Sequence, residues 1–197
     1  MRNGQSLFID KVYKKINKMG YNYKSTVLNA ADYGVPQRRK RFLIIGYKNN
    51  LDIELPEKTH SEKGDDGKEI WAPVGPLLHR REDVAKNLFY SDKLIRGFQR
   101  RAIINKKRGY GFGWQFLKLD KPSYTISARY WKDGAEALVK YSEKSIRKLS
   151  EKECARVQSF PEDYAFIGNK RLVHTQIGNA VPPLLAEAVA SSIKKEL

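Results

Sequence analysis

The run Arg41-Phe-Leu-Ile-Ile-Gly-Tyr47 is almost wholly apolar and is flanked by charged or polar residues on both sides. Such a run reads as a strand covered on both faces, which requires a sheet sandwiched between other layers. What precedes it narrows the choice further. Ile9, Val12, Ile16 and Met19 fall at i, i+3, i+7 and i+10, so the spacing predicts an amphipathic helix over 7–19, with Ser6 as N-cap and Gly20 as stop. A short strand over 24–28 and a turn around Gly34-Val-Pro36 complete the order helix, strand, loop, strand. That order fits the late part of an α/β sheet.

At 197 residues and 41% hydrophobic content, the chain can bury a core as one domain or two small ones. Lys and Arg number 38 against 22 Asp and Glu, a net charge of +16 that points to a polyanionic partner, nucleic acid foremost. The single cysteine, Cys154, cannot form an intrachain disulfide, and His60, His79 and His174 lack zinc-ligand spacing. No metal site is expected. A reducing, cytoplasmic setting fits, and no stretch approaches the roughly 20 apolar residues that span a bilayer, so no membrane association is expected.

Beyond Asn49 the composition turns polar and irregular to about Lys68, with Pro56, Gly64 and Gly67 among charges, which marks an exposed loop. A basic helix is predicted over 91–105. After it, Lys106-Lys-Arg-Gly-Tyr-Gly-Phe-Gly-Trp114 interleaves cations, glycines and aromatics. Segments 124–131 and 136–141 flank Lys132-Asp133-Gly134-Ala135, whose Asp-Gly step predicts a tight hairpin and a small, mostly β unit. Ser150-Glu-Lys-Glu153 is a capping box opening a helix to about Ser159, and Pro161 ends it. Gly178-Asn179 is expected in a turn, and Pro182-Pro183 opens a last helix over 184–195.

Gln37, Arg39 and Arg41 alternate where a loop enters the apolar strand, so their side chains are expected to share one direction. Two guanidiniums aimed together suit a phosphate, a carboxylate or a carbonyl edge, or else a solvated strand entry. Three longer runs carry more information. Leu28-Asn-Ala-x-Asp-Tyr-Gly-x-Pro-Gln37-x-Arg39-x-Arg41 resembles motif VIII of the DNA cytosine-5 methyltransferases. Arg147-x-Leu-Ser-x-x-Glu153-Cys-Ala-Arg156-Val-Gln158-x-Phe-Pro161 is similar to motif IX, and Gln176-x-Gly178-Asn179-Ala180-Val-Pro182 to motif X. They stand in the family's order.

The resemblance implies an α/β fold, the C-terminal part of a Rossmann-like S-adenosylmethionine-dependent methyltransferase with a small, mostly β target recognition domain. It divides the chain into 1–50, the late catalytic domain; 51–145, the recognition domain; 146–172, a bracing helix; and 173–197, returning to the catalytic domain. In such enzymes a flipped cytosine is attacked at C6 by a cysteine thiolate, a glutamate assists at N3, and C5 takes the methyl group. Arg41 matches the arginine expected at O2 of that base. Arg39 matches its neighbour, expected to orient the site or the DNA backbone. Asn179 and Ala180 would lie beside the S-adenosylmethionine pocket, most of which belongs to a missing N-terminal part.

Arg147, Glu153 and Arg156 are expected to brace the recognition domain through ion pairs. The segments 109–114 and 125–136 look like the recognition segment of enzymes acting at CCGG, CCNGG or CCWGG sites, with Thr125-Ile126 matching their Thr-Leu or Thr-Ile pair. Arg108, Arg129 and Lys132 can bond phosphates or guanine edges. Tyr110 and Trp114 read equally as groove contacts or as core. The family's methyl-donor motif, Pro-Cys loop and Glu-Asn-Val segment have no counterpart, and Cys154 falls inside a predicted helix. The resemblance therefore implies a subunit or fragment acting on double-stranded DNA, inactive alone and completed by a catalytic N-terminal partner. A noncatalytic DNA-binding remnant or specificity factor is the alternative.

Overall fold

The computed structural model describes residues 3–48, 53–110 and 114–195. Gly111, Phe112 and Gly113 of the glycine-aromatic run lie outside the described residues.

The first helix, α1 (Asn3–Lys18), begins earlier than the capping reading predicts, so Ser6 lies within it. It stops where Gly20 takes a φ of 77°, a conformation that glycine adopts without a Cβ penalty. Strands β1 (Asn22–Asn29) and β2 (Lys40–Tyr47) then pair antiparallel in register from Asn22↔Tyr47 to Asn29↔Lys40. Because strand side chains alternate, each face of this hairpin is set by the register. On one face Tyr13 of α1 stacks on Tyr23 at 4.3 Å and its hydroxyl meets that of Ser25. On the other, Leu28 and Leu43 pack against Leu185, Ala188 and Val189 of the last helix. The expectation of a strand buried on both faces is not met: within β2 only Ile45 is buried, and Phe42 is exposed.

Between the strands a single turn of 3-10 helix, Ala30–Tyr33, is buried at every position and ends on Gly34 at φ 79°. Asp32 ties it to the following segment, accepting from the Trp71 indole at 3.0 Å and pairing with Lys58 at 2.9 Å.

The middle region carries less strand than expected. Strands β3 (His60–Ser61) and β4 (Glu69–Ile70) are a two-residue parallel pair, and the longest regular element is the helix α2 (Asp92–Lys107), capped by Ser91. The predicted Asp-Gly hairpin is also corrected. Tyr130–Asp133 forms a short helix, α3, which Gly134 terminates at φ 59°. The chain then enters β5 (Leu138–Ser142), whose partner is β6 (Ser145–Lys148), so the tight turn falls at 143–144. A positive-φ glycine serves a helix C-terminus as readily as a hairpin, and here packing of Tyr130 decides. Its ring is fully buried, and its hydroxyl donates to the Ala137 carbonyl while accepting from the Leu149 amide.

The capping box at Ser150 is present with both of its hydrogen bonds and opens α4 (Glu151–Val157). Two helices follow, α5 (Lys170–Asn179) and α6 (Pro183–Lys194). Gly178 and Asn179 are thus the last residues of α5 rather than a turn. The glycine is required by contact: a Cβ there would lie 2.3 Å from the Ala128 amide nitrogen and 2.4 Å from the Ser127 carbonyl carbon. That approach seats α5 on the middle region, over a core that includes Val74, Ile126, Leu149, Cys154 and Ile177.

Candidate functional site

The loop from Pro36 to Lys40 is stitched to residues 123–126. Ser123 donates its amide to the Pro36 carbonyl, and its own carbonyl accepts from the Arg38 amide. The Thr125 hydroxyl donates to the Arg38 carbonyl at 2.7 Å. Side chains at odd and even positions of this loop consequently go different ways. Gln37 and Arg39 are fully buried, while Arg38 and Lys40 are exposed.

Arg39 is the centre of the buried side. Its guanidinium donates to the carbonyls of Ile126 (3.0 Å), Gly178 and Ala180 (3.2 Å), and its amide donates to the Asn29 side chain. Gln37 spans the same junction, accepting from the Ile126 amide and donating to the Val157 carbonyl. One arginine therefore fastens three segments, including the end of α5, 139 positions away in sequence. Burial lowers the Arg39 pKa to about 10, with the positive charge of Arg41 adding to the effect. It stays charged at neutral pH without a carboxylate partner among the described residues.

The expected common direction of residues 37, 39 and 41 holds only in part. Arg41 is half-buried, opposite Leu28 in the hairpin, and donates to the Lys40 carbonyl at 2.8 Å. Burial lowers its pKa as well. Arg39, by contrast, has no exposed surface.

The exposed side of the same loop opens on a groove of about 580 Å³ lined by Asn29, Arg38, Lys40, Glu62, Trp71 and Thr125. It continues past Arg38, whose guanidinium lies 5.2 Å above the Tyr124 ring, toward Lys118 and Lys121. Four cations against one carboxylate, with two aromatic rings among them, make a surface suited to a nucleic-acid strand. Sequence reasoning singled out only Thr125 in this groove. The even positions of the Gln37–Arg41 repeat were the available signal for Arg38 and Lys40; Trp71, Lys118 and Lys121 come from folding alone.

The other candidates are scattered over separate elements. Arg108 caps the end of α2 and Tyr110, 64% exposed, follows it. Arg129 and Lys132 are exposed around α3. Trp114 goes to the core instead, packing with Phe116 and Tyr90 against Ile95, Leu138 and Ile146. Asn179 is exposed at the end of α5, beside Ala180, whose carbonyl is held by Arg39. Arg147 and Glu153 form a fully buried bidentate ion pair, and Arg156 pairs with Glu162, both pairs lying within 146–172. Cys154 is fully buried in α4, and burial together with the charges of Glu153 and Glu151 pushes its thiol pKa well up. It packs in the core beside Val157 and Ile177.

The described residues contain no group of three or more His, Cys, Asp or Glu side chains able to hold a metal, and no helix long and apolar enough to cross a membrane.

The fold is that of known methyltransferases. It superposes on a methyltransferase of Entamoeba histolytica, EhMeth, with a TM-score of 0.71 at 16% identity, covering 98% of this chain and 59% of that one. The Dnmt2 methyltransferase of S. pombe gives 0.70 at 14% identity, over 95% and 61% of the two chains. The chain's fold is of the α/β, Rossmann-like methyltransferase class. In sequence, residues 2–195 match the family model for C-5 cytosine-specific DNA methylases, and the chain belongs to that family. Type II methyltransferase M.DsaV of Dactylococcopsis salina is 34% identical over 184 residues, covering 90% of this chain and 49% of the enzyme. M.NlaX of Neisseria lactamica is 33% identical over 92% of this chain and 55% of its own length. The chain thus spans about half the length of these curated relatives.

Proposed function

We propose that the chain is the recognition-bearing, C-terminal part of a type II DNA cytosine-5 methyltransferase. In this reading it reads double-stranded DNA, supplies one wall of the active site, and acts together with a catalytic N-terminal subunit or fragment that carries the nucleophilic cysteine. The observation that carries the reading is the Arg39 junction. It brings the motif VIII-like run, the Thr125-Ile126 pair and the motif X-like run into direct contact through three carbonyls. Residues 1–50 and 173–197 then belong to the catalytic domain, 51–145 to target recognition within the CCGG, CCNGG or CCWGG class, and 146–172 to the brace between them.

Within this scheme Arg41 meets O2 of the flipped cytosine, where a guanidinium steadies negative charge developing on the ring. Arg39 holds the backbone behind it. The groove at Arg38, Lys40 and Thr125 takes the DNA strand, with Arg108, Tyr110, Arg129 and Lys132 as outlying contacts. S-adenosylmethionine, when bound, supplies the methyl group. The exposed Asn179 side chain and the Ala180 backbone, held in place by Arg39, suit the rim of its pocket, and the rest of that pocket lies in the partner.

The test is methyl transfer from labelled S-adenosylmethionine to DNA. The chain is assayed alone, with the product of the adjacent upstream reading frame, and with the portion of M.DsaV outside the matched region. Transfer only in a mixture is expected, and Arg41→Ala should then lower turnover at least about a hundredfold, in the range of losing an oxyanion-hole donor, while DNA affinity changes little. Equal losses in turnover and affinity would remove Arg41 from the flipped base. DNA binding without transfer in either mixture would favour a noncatalytic specificity factor, a reading that the buried Cys154 also allows.

A further inference from the structure

Helix α2 carries more positive charge than its surroundings answer. Its 16 residues hold Lys93, Arg96, Arg100, Arg101, Lys106 and Lys107 against a single acid, Asp92, in the first turn. All six cations are exposed, and among the described residues none has a carboxylate partner. Ile95 and Phe98 face the core, and Lys93, Arg96, Arg100 and Lys107, at i, i+3, i+7 and i+14, line the side away from them. Arg96 and Arg100 stand one turn apart and repel each other, so the stripe works against the helix that carries it. A polyanion laid along the stripe would remove that repulsion.

The place of α2 in the fold selects the polyanion. Segment 125–136 begins at the groove, where Thr125 holds the Arg38 carbonyl, and ends against α2, where Ala135 and Glu136 share a cleft of about 200 Å³ with Arg101 and Asn105. The exposed Arg129 and Lys132 lie between its two ends. Cations thus continue from the groove through α3 to α2, a run that a duplex longer than the groove can follow. Helix α1 is the contrast: equally long, it carries Lys11, Lys14, Lys15 and Lys18 but no arginine, and it packs on the hairpin instead. The three guanidiniums of α2 offer forked donors that match phosphate oxygens.

We propose that the outer face of α2 is a second DNA-binding surface, one that grips phosphates of the duplex outside the target site and reads no base. Arg96 and Arg100 contact the backbone, and Lys93 and Lys107 extend the contact at either end. From Lys93 to Lys107 the helix rises about 21 Å, enough to run beside about six base steps of duplex. This surface rests on the reading of 51–145 as target recognition for the identity of its polyanion, and it requires no catalytic partner.

The experiment measures binding of the chain alone to a random-sequence duplex, by fluorescence anisotropy, as salt is raised from about 50 to about 200 mM. Each phosphate neutralised contributes about 0.9 to the slope of log K against log salt, so the triple variant Lys93→Gln, Arg96→Gln, Arg100→Gln should flatten that slope by about 2 to 3. A charge-matched variant on α1, Lys11→Gln, Lys14→Gln, Lys18→Gln, should change it by less than about 1. Ile103→Gln, an exposed apolar position on the outer face of α2, should leave it unchanged. Every substituted side chain is exposed, so the unfolding midpoints of all three variants should match the parent's. An unmoved slope in the α2 variant overturns the proposal, as does an equal loss in the α1 variant, which would make the effect one of net charge. A loss from Ile103→Gln as large as the triple variant's overturns it by showing that apolar contact holds the helix. Failure of the parent to bind the duplex overturns it outright. The two readings fail separately: methyl transfer that appears in no mixture sinks the split enzyme and leaves the slopes standing, whereas an unmoved slope sinks this surface and leaves Arg41 and the groove untouched.

Discussion

Two fully buried arginines hold two junctions of this molecule, and they are solvated by different means. Arg147, at the α4 junction, faces the Glu153 carboxylate in a bidentate pair at 2.8 and 2.9 Å. The same carboxylate accepts from the backbone amides of His79 and Ser150. Burial alone would lower the Arg147 pKa, but the bonds to Glu153 and Tyr141 outweigh it and raise the value. Arg39, at the junction of β2 with the end of α5, has carbonyl oxygens and the Gln37 amide oxygen but, among the described residues, no acid and no hydrogen-bond partner for its Nε, and its pKa falls. A neutralised pair suits a brace. An uncompensated cation beside Arg41 adds positive potential to a surface expected to meet phosphate and a developing negative charge.

The sharpest way to break this contrast is to remove one partner of the paired junction. Glu153→Ala should cost about 3–5 kcal/mol in urea unfolding, because it strands the Arg147 charge in the interior. Replacing both, Arg147→Met with Glu153→Leu, should recover most of that loss. At the other junction Arg39→Met deletes an already uncompensated charge together with its hydrogen bonds to three carbonyls. The expected cost is smaller, about 2 kcal/mol, on the scale of losing charge-assisted hydrogen bonds. A larger loss for Arg39→Met than for Glu153→Ala would reverse the assignment of which junction is the structural brace.

Acid gives the mildest probe. Burial pushes the Glu153 carboxyl up, but hydrogen bonds from Arg147 and from the Ser150 amide more than offset it, and its pKa lies below the usual 4.5. A depressed folded-state value means that the unfolded chain binds the proton first. The contribution of this pair is therefore complete above about pH 4.5, where the unfolded carboxyl is ionised, and is lost as the pH falls through the lower folded value. Parent protein should lose stability across that window more steeply than the Arg147→Met, Glu153→Leu variant. The Arg39 junction has no carboxylate among the described residues, so Arg39→Met should leave the acid slope unchanged.

Local signals were readable in proportion to how local their causes are. The Ser150 capping box, the helix behind Pro182-Pro183 and the stop at Gly20 depend on residues within a turn of one another, and each stands where its pattern places it. The Asp133-Gly134 step misled, because a left-handed glycine fits a helix end and a hairpin equally and the burial of Tyr130 chose between them. Gly178 misled for a similar reason: its need is the nearness of Ala128, whose amide nitrogen lies 2.3 Å from where a Cβ would sit, and that has no trace in the residues beside it.

The basic charge, the Ser150 cap and the stop at Gly20 were properties of the sequence alone, since they arise from residue type and near spacing. Which arginine is buried and which remains accessible was decided only by tertiary structure. Arg38, Arg39, Lys40 and Arg41 are consecutive cations with nothing local to separate them. The carbonyls of Ile126, Gly178 and Ala180 draw Arg39 inward, and the bridge at Ser123 turns Arg38 out into the groove. Long-range backbone contacts of that kind exist only once the chain has folded.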